Sequence, residues 1–301
     1  MYWIYLPLAA LFTAASNLFI RLSVDKGGGA GDPYLIVRLL ASASVIAIIA
    51  LSYGFFIQYD TLVTMLGVVA GCLLGSLMWL TGRSLKYGGP GLTFMVINTA
   101  CMAPPLVMAL LFGPTFGHTY ELKEALGACL MIGGIIIGTV READSKINKS
   151  WYFWVGLTFL VHAIFLSYFQ WRALLLKTGL PYSTFIPFQC SPETSDCFGI
   201  SLFLTAALFQ LLLPRNQTKF NKTDLWKFGI GGGLINGIGS YFMIKTTETA
   251  LMPLEKTILF PAYSILLIFL CNLWGYFLYK EKISWKGTAL SSLGILVSCW
   301  P

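Results

Sequence analysis

Ten long apolar segments, separated by short stretches of Gly, Pro, Asn or charged residues, dominate this chain. A bilayer core about 30 Å thick needs about 20 helical residues per crossing, so ten crossings would use about 200 residues. Each segment is expected to be a helix, because the unpaired edge of an open strand cannot be satisfied inside lipid. The predicted spans are roughly 2–22, 33–57, 62–83, 90–112, 122–140, 152–174, 196–213, 226–247, 254–279 and 285–300.

The composition excludes most soluble classes of protein. Hydrophobic residues make up 56% of the chain and charged residues only 11%, against about 25% in ordinary soluble domains. A soluble enzyme, a nucleic-acid-binding protein or a secreted disulfide scaffold would need a charged or cysteine-stapled surface that this sequence does not offer. The net charge of +7 sits in short inter-helical segments, which is typical of topology signals. We therefore predict an all-α integral membrane protein that does not bind nucleic acid.

The chain resembles a duplication. A shift of 162 residues superposes two glycine triplets, Gly67, Gly71 and Gly75 on Gly229, Gly233 and Gly237. A shift of 160 residues places Glu121 on Glu281 and Gly127 on Gly287. Glycines spaced by four lie on one helix face and allow two backbones to approach closely in lipid. Chance matching of Gly-rich apolar segments is the alternative explanation.

A duplication of this kind has a topological consequence. Each unit, 1–145 and 146–301, would hold five helices. Because five is odd, the second unit enters the membrane from the opposite side. The sequence thus predicts ten transmembrane helices in two inverted five-helix repeats, an arrangement typical of secondary transporters.

These features resemble the drug/metabolite transporter superfamily, in its EamA-like branch. The resemblance rests on ten helices, two five-helix repeats, and the Glu-x5-Gly pairs Glu121–Gly127 and Glu281–Gly287 that begin the fifth and tenth spans. It covers nearly the whole chain and specifies a fold and a transporter class, not a cargo. It implies a central cavity lined by spans 1–4 and 6–9, with spans 5 and 10 at the periphery.

The distribution of Lys and Arg predicts the orientation. Most of them lie in or next to the odd-numbered connections, which the positive-inside rule places in the cytoplasm. Both termini and the loop with Cys190 and Cys197 would then lie outside, where a disulfide could form. The expected location is a cell membrane crossed many times, most simply the bacterial inner membrane.

Charged residues inside the spans are the first candidates for substrate binding, because a charge in lipid usually faces a cavity or a partner. Arg38 lies about five residues inside the second span and could hold an anionic group in bidentate fashion. Snorkelling or internal pairing would also account for it. Lys245 and Glu248 lie three residues apart near the end of the eighth span, as a gate, a cation relay or a local ion pair.

Neutral polar residues supply the next candidates. Asn17, Asn98, His162 and Asn236 lie within the first, fourth, sixth and eighth spans. Each could bind substrate or hydrogen-bond a neighbouring helix. Kinks are expected near the prolines of the fourth and ninth spans, where freed carbonyls could line a cavity, at Pro104, Pro105 and Pro261.

Aromatic residues complete the predicted site. Trp79 and Tyr241 occupy equivalent repeat positions and could face each other across a cavity, although an interfacial aromatic belt would also place them there. Tyr263 adds a phenol at mid-depth of the ninth span. The full set of predicted substrate-binding residues is Asn17, Arg38, Trp79, Asn98, His162, Asn236, Tyr241, Lys245 and Tyr263.

The sequence contains no GxSxG elbow, P-loop or HExxH motif, so no catalytic site, metal site or cofactor is predicted. The predicted function is a secondary transporter or exchanger that moves a small polar metabolite, such as an amino acid, a sugar, a nucleotide-like compound or a cofactor, by alternating access. Its expected partners are this small-molecule substrate and membrane lipid. The alternatives are a lipid flippase-like or non-transporting membrane protein and, less favoured, a membrane enzyme. The glycine faces permit a monomer or a homodimer.

Overall fold

A computed structural model describes residues 2–25, 33–52, 60–116, 122–142, 149–175, 195–213, 222–250, 253–280 and 283–299. Within these ranges the chain is all α, with no strand. The helices, numbered in chain order, are α1 (Tyr2–Asp25), α2 (Pro33–Ser52), α3 (Thr61–Tyr87), α4 (Pro90–Asn98), α5 (Ala103–Phe116), α6 (Leu122–Glu142), α7 (Lys149–Leu175), α8 (Ser195–Leu212), α9 (Lys222–Asp224), α10 (Gly232–Thr249), α11 (Pro253–Tyr279) and α12 (Trp285–Cys299).

Six helical segments are long and apolar enough to cross a membrane, as expected of a multi-pass membrane protein. They are Ile4–Asp25, Pro33–Ser52, Thr61–Tyr87, Leu92–Phe112, Lys149–Leu175 and Ile258–Tyr279. The other predicted spans also coincide with helices. The apolar part of α8 and the whole of α12 are shorter, and α10 carries Lys245 and Glu248 near its end. The count of ten crossings therefore stays a prediction.

The fourth predicted span is continuously helical, but a 3₁₀-helical turn, Thr99–Met102, interrupts its α-helical hydrogen bonding between α4 and α5. We call this interruption the break, and the span that contains it the broken helix. Pro104 and Pro105 have no backbone N–H to donate to the carbonyl groups four residues earlier, so a regular helix cannot run through this point. By contrast, α11 continues through Pro261. A π-helical segment, Leu225–Gly231, leads into α10.

Close helix packing occurs at the first glycine triplet, where α3 lies against α8. A Cβ atom on Gly67 would stand 2.7 Å from the carbonyl oxygen of Phe198, and one on Gly71 would stand 2.6 Å from that of Leu202. Gly75 faces the next turn of α8 in the same way. The contacts advance together along both helices, so α3 and α8 run parallel. Only glycine allows this approach.

The second triplet brings α10 against α2 in a matching way. Gly229 lies beside Tyr34, and a Cβ atom on Gly237 would stand 2.9 Å from the Ser42 carbonyl oxygen. Gly233 lies between them against the backbone of α2. Here too the contacts advance in the same direction along both helices. The two glycine faces thus serve two parallel helix pairs.

A third pair, α6 and α12, packs reciprocally. A Cβ atom on Gly134 would stand 2.6 Å from the Gly287 carbonyl oxygen, and one on Gly294 would stand 2.5 Å from the Gly127 carbonyl oxygen. The contact between the earlier residue of one helix and the later residue of the other means that α6 and α12 run antiparallel. The glutamates expected to begin these spans, Glu121 and Glu281, lie outside the described residues.

Candidate functional site

A central cavity of about 140 Å³ lies among seven helices: α1, α3, α4, α7, α8, α10 and α11. Most of its lining residues come from the middle parts of these helices, although Asn98 is the last residue of α4, and no described side chain of α6 or α12 is among them. The polar side chains on its wall are neutral hydroxyl, amide, phenol and imidazole groups, Thr13, Asn17, Thr81, Asn98, His162, Asn236, Ser240 and Tyr263. No Asp, Glu, Lys or Arg is found among the described residues that line it.

Five of the nine predicted site residues meet at this cavity. Asn17, Asn98, His162, Asn236 and Tyr263 all line it, although they lie on five different helices. Sequence position alone therefore selected groups that the tertiary structure brings together. Whether they bind a substrate stays a prediction.

Aromatic residues that the sequence analysis did not select form much of the remaining wall. Phe94, Phe165, Phe169 and Phe203 line the cavity from α4, α7 and α8. In a chain of apolar helices, a phenylalanine that faces a cavity has the same sequence signature as one that faces lipid. Only the rotation and packing of the helices distinguish the two.

His162 and Asn98 are linked through the end of α4. The last carbonyl groups of a helix have no partner within the helix. Here His162 Nδ1 lies 2.9 Å from the Ile97 carbonyl oxygen, and the Ser264 hydroxyl donates to the Asn98 carbonyl oxygen at 2.7 Å. Side chains of α7 and α11 thus contact the backbone at the end of α4, where Asn98 lies.

A polar network stands directly behind the cavity wall. The Ser16 hydroxyl donates to Asn236 Oδ1 at 2.9 Å, and Asn236 Nδ2 donates to the Ser42 hydroxyl at 3.0 Å. Arg38, which is fully buried, donates from Nη2 to the Ser16 carbonyl oxygen at 2.8 Å and also contacts the Ser16 hydroxyl. Arg38 is therefore one hydrogen-bonded neighbour away from the cavity and is not part of its wall. No acidic side chain among the described residues pairs with it.

Lys245 belongs to a charged cluster near the end of α10. Its Nζ lies 3.3 Å from Glu248 and 3.5 Å from Asp196 of α8. Glu248 also forms an ion pair with the buried Arg172 of α7, whose guanidinium lies 4.0 Å from the centre of the Phe198 ring. The local Lys245–Glu248 pair was among the sequence-based explanations. A shift of 151 residues places Arg21 on Arg172 in the sequence duplication, but the pairing of Arg172 with Glu248 was not predictable from spacing.

The predicted aromatic pair is not brought together across the cavity. Trp79 packs edge-on against Trp154, with ring centres 5.8 Å apart. Tyr241 packs against Phe242, and Lys245 Nζ lies 5.7 Å from the centre of the Tyr241 ring. Neither aromatic side chain is among the cavity-lining residues.

Two further points concern the predicted disulfide and possible metal sites. Cys197 is buried near the start of α8, but Cys190 lies outside the described residues, so their disulfide stays a prediction. Among the described residues no group of three or more His, Cys, Asp or Glu side chains could hold a metal ion.

Comparison with known proteins supports the fold alone. A solved structure described as "Crystal structure of protein" superposes with a TM-score of 0.61 at 16% identity, covering 97% of this chain and 96% of that chain. A search against family models and a search of curated proteins find no match. The likeness over nearly the whole length shows that this helical arrangement occurs in an experimentally solved protein, and it assigns no activity.

Proposed function

We propose that this protein is a secondary transporter or exchanger that moves a small metabolite across a membrane by alternating access. The observation that carries the proposal is the central cavity, which combines neutral polar groups with aromatic walls at the middle of the helices. Transporter substrate sites lie near the bilayer midplane, often beside a broken helix. The break between α4 and α5 stands at this cavity, because Asn98 ends α4 and lines the wall.

The glycine contacts support two inverted repeats, 1–145 and 146–301. Under the repeat, α3 corresponds to α10 and α8 to α2, so the parallel pairs α3–α8 and α10–α2 are equivalent contacts. The α6–α12 pair is its own equivalent, because Gly134 meets Gly287 as Gly294 meets Gly127. Such a self-complementary contact is what a two-fold relation produces. A pseudo-two-fold axis in the membrane plane would relate the two halves.

Two arginine clusters near helix ends support a gated mechanism. Arg172 near the end of α7 pairs with Glu248 of α10. Its repeat equivalent, Arg21 near the end of α1, donates to the Leu85 carbonyl oxygen of α3 at 2.7 Å and pairs with Asp25 at 3.0 Å. In an inverted repeat these two helix ends lie on opposite sides of the membrane. Breaking one cluster while keeping the other would open one side at a time.

This proposal agrees with the resemblance to the EamA-like drug/metabolite transporters. That resemblance implied a cavity lined by spans 1–4 and 6–9, with spans 5 and 10 outside it. The described cavity draws on spans 1, 3, 4 and 6–9, and no residue of α2 is among its lining. The bacterial inner membrane is the location that we propose.

A lipid flippase-like protein is the second candidate, and one observation favours it. An open, almost wholly apolar groove of about 460 Å³ runs between α5 and α7. Its lining includes Val107, Leu111, Leu160 and Trp171. Such a groove suits an acyl chain better than a polar solute.

Counterflow in proteoliposomes tests the proposed function. Vesicles are loaded with unlabelled amino acids, sugars, nucleobases, nucleotides or small cofactors, and entry of each labelled compound is followed. We expect saturable exchange within one chemical class. Ser240→Trp should abolish it, because Ser240 lines the cavity and an indole would fill the available space. Leu234→Trp, on the exposed face of the same helix, is the matched control and should retain exchange.

The alternative outcome is equally specific. If the protein is monodisperse and no solute exchanges, transport of polar metabolites is wrong. A fluorescent-lipid scrambling assay on the same vesicles then tests the second candidate. Lipid movement that Leu160→Trp blocks and Ser240→Trp does not would assign the function to the groove.

A further inference from the structure

The wall of the central cavity carries an unpaired donor. Asn98 is only 2% exposed, and its buried Nδ2 has no hydrogen-bond partner among the residues that the structure describes. Buried amides in proteins are nearly always paired, and an unpaired one is costly. A ligand in the cavity that offers an acceptor, such as a carbonyl oxygen, would supply the missing partner.

An acceptor stands beside this donor. The Ile97 carbonyl oxygen can only accept, so His162 Nδ1 must carry the proton of their 2.9 Å hydrogen bond. In the neutral imidazole Nε2 then keeps a lone pair, and the hydrogen bond at Nδ1 is the only one that His162 forms with the described residues. His162 and Asn98 both line the cavity, and the carbonyl group that His162 contacts belongs to the residue before Asn98. The two residues thus bring one donor and one acceptor to the wall.

The rest of the wall limits the size and shape of a ligand. A cavity of about 140 Å³ is close to the roughly 150 Å³ of an apolar cavity that takes one benzene ring. Phe94, Phe165, Phe169 and Phe203 supply aromatic surface, and aromatic rings stack favourably on one another. One flat six-membered ring therefore fits the space and its lining.

The charge of the wall limits the ligand further. No acidic or basic side chain lines the cavity in the described part of the chain. The buried Arg38 is separated from the cavity by two residues. Ser16 accepts from Arg38 Nη2 and donates to Asn236, and Asn236 lines the wall. A ligand carrying a full charge would lose its hydration without meeting an opposite charge on the wall.

From these four features we propose that the cavity binds an uncharged single-ring heteroaromatic compound whose amide edge pairs with Asn98 and His162. A ring carbonyl or carboxamide oxygen accepts from Asn98 Nδ2, and the neighbouring N–H donates to His162 Nε2. Pyrimidinones such as uracil and ring carboxamides such as nicotinamide have this edge. The inference rests on the proposed transport function and names its substrate class.

Counterflow with matched pairs of probes tests this recognition. Uracil and nicotinamide are the neutral probes, and orotate and nicotinate are their anionic counterparts of similar shape. We expect exchange of at least one neutral probe and none of its anion. Asn98→Ala and His162→Phe should each raise the half-saturating concentration about tenfold, the usual scale for losing one hydrogen bond to a buried partner. Leu110→Ala should not change the half-saturating concentration, because Leu110 is exposed on α5, in the same span as Asn98.

His162→Gln guards against misfolding as an explanation. The amide of Gln can donate to the Ile97 carbonyl oxygen and still offer an acceptor, so this variant should exchange substrate better than His162→Phe. Each variant is checked for an unchanged elution volume and melting temperature before transport is measured.

The remaining outcomes separate the two proposals. Exchange of the anions but not the neutral probes overturns the substrate class, and its loss in Arg38→Gln would assign the charge to Arg38. Exchange restricted to sugars or amino acids also overturns the class while supporting transport. Exchange of uracil or nicotinamide that is insensitive to Asn98→Ala and His162→Phe overturns the recognition pair. No exchange of any solute by folded protein overturns the proposed function itself.

Discussion

At the scale of single residues, charge and neutral polarity are divided between different places. The cavity wall carries amides, hydroxyls and an imidazole, while the paired charges described above gather near helix ends. Arg38 is the exception, because it is wholly buried and its Nε and Nη1 form no hydrogen bond within the described part of the chain. Gly232 leaves room beside it, since a Cβ atom there would stand 3.3 Å from Nη1. A buried guanidinium is costly, and no carboxylate among the described residues offsets the cost at Arg38.

The Arg172–Glu248 pair makes a residue-scale prediction. Its arginine side chain is 1% exposed and its glutamate 14%, so Glu248→Gln takes a carboxylate partner from a buried guanidinium. We expect Glu248→Gln to destabilise the fold by about 3–5 kcal/mol. The double variant Arg172→Met/Glu248→Gln should recover much of the loss, and melting temperatures in detergent measure the coupling.

Lys245 provides the control for this cycle. It pairs with both Glu248 and Asp196 but is more exposed, with 27% of its side chain accessible. Lys245→Met should therefore cost less than Glu248→Gln. Equal losses for all the single variants, with no recovery in the double variant, would contradict a specific buried pair.

At the scale of helices, glycine spacing and proline position decide which surfaces meet. Pro104 and Pro105 interrupt the regular hydrogen bonding of the fourth span. At this break Asn98 lines the cavity, and the Ile97 carbonyl oxygen contacts His162. The glycine triplets act differently, since they remove side chains where two helices lie backbone to backbone. The prolines thus distort a helix beside the cavity, and the glycines allow close contact between helices.

Gly71 and Gly82 of α3 allow a direct comparison of these interfaces. A Cβ atom on Gly71 would stand 2.6 Å from both the Leu202 carbonyl oxygen and the Thr205 Cβ, whereas one on Gly82 meets nothing within 4 Å. We expect Gly71→Ala to destabilise the protein by about 1–3 kcal/mol through overpacking against α8. Gly82→Ala should leave the melting temperature nearly unchanged. The reverse order would mean that α3 and α8 are not in close contact.

At the scale of the whole molecule, the orientation in the membrane follows from charge. The odd-numbered connections hold most of the Lys and Arg, so we predict that they are cytoplasmic and that both termini are external. A periplasm-active phosphatase fused after Pro301 should be active, and the same reporter in the connection 143–148 should be inactive. The inverse pattern would contradict the predicted orientation and leave the fold untouched. Equal activity at both points would contradict the odd number of crossings between them.

The sequence could predict those parts of the fold that depend on local chemistry. Long apolar segments fixed the helical class, and each predicted segment coincides with helical residues because no other structure satisfies the backbone in lipid. Polar residues inside these segments were visible as exceptions, which is why Asn17, Asn98, His162, Asn236 and Tyr263 could be selected. All five line the cavity. The same reasoning selected Arg38 and Lys245, which do not line the cavity. Polarity alone does not distinguish a residue of the cavity wall from a polar residue that pairs elsewhere.

The sequence by itself determined the helices, their approximate ends, the glycine faces and the set of residues too polar for lipid. Only the tertiary structure decided which of these groups share a cavity, because that depends on the rotation of each helix and on its neighbours. Four phenylalanines line the cavity, and Arg172 forms an ion pair with Glu248, because helices far apart in the chain pack together. Hydropathy is a property of a segment, whereas a binding site is a property of the packing between segments.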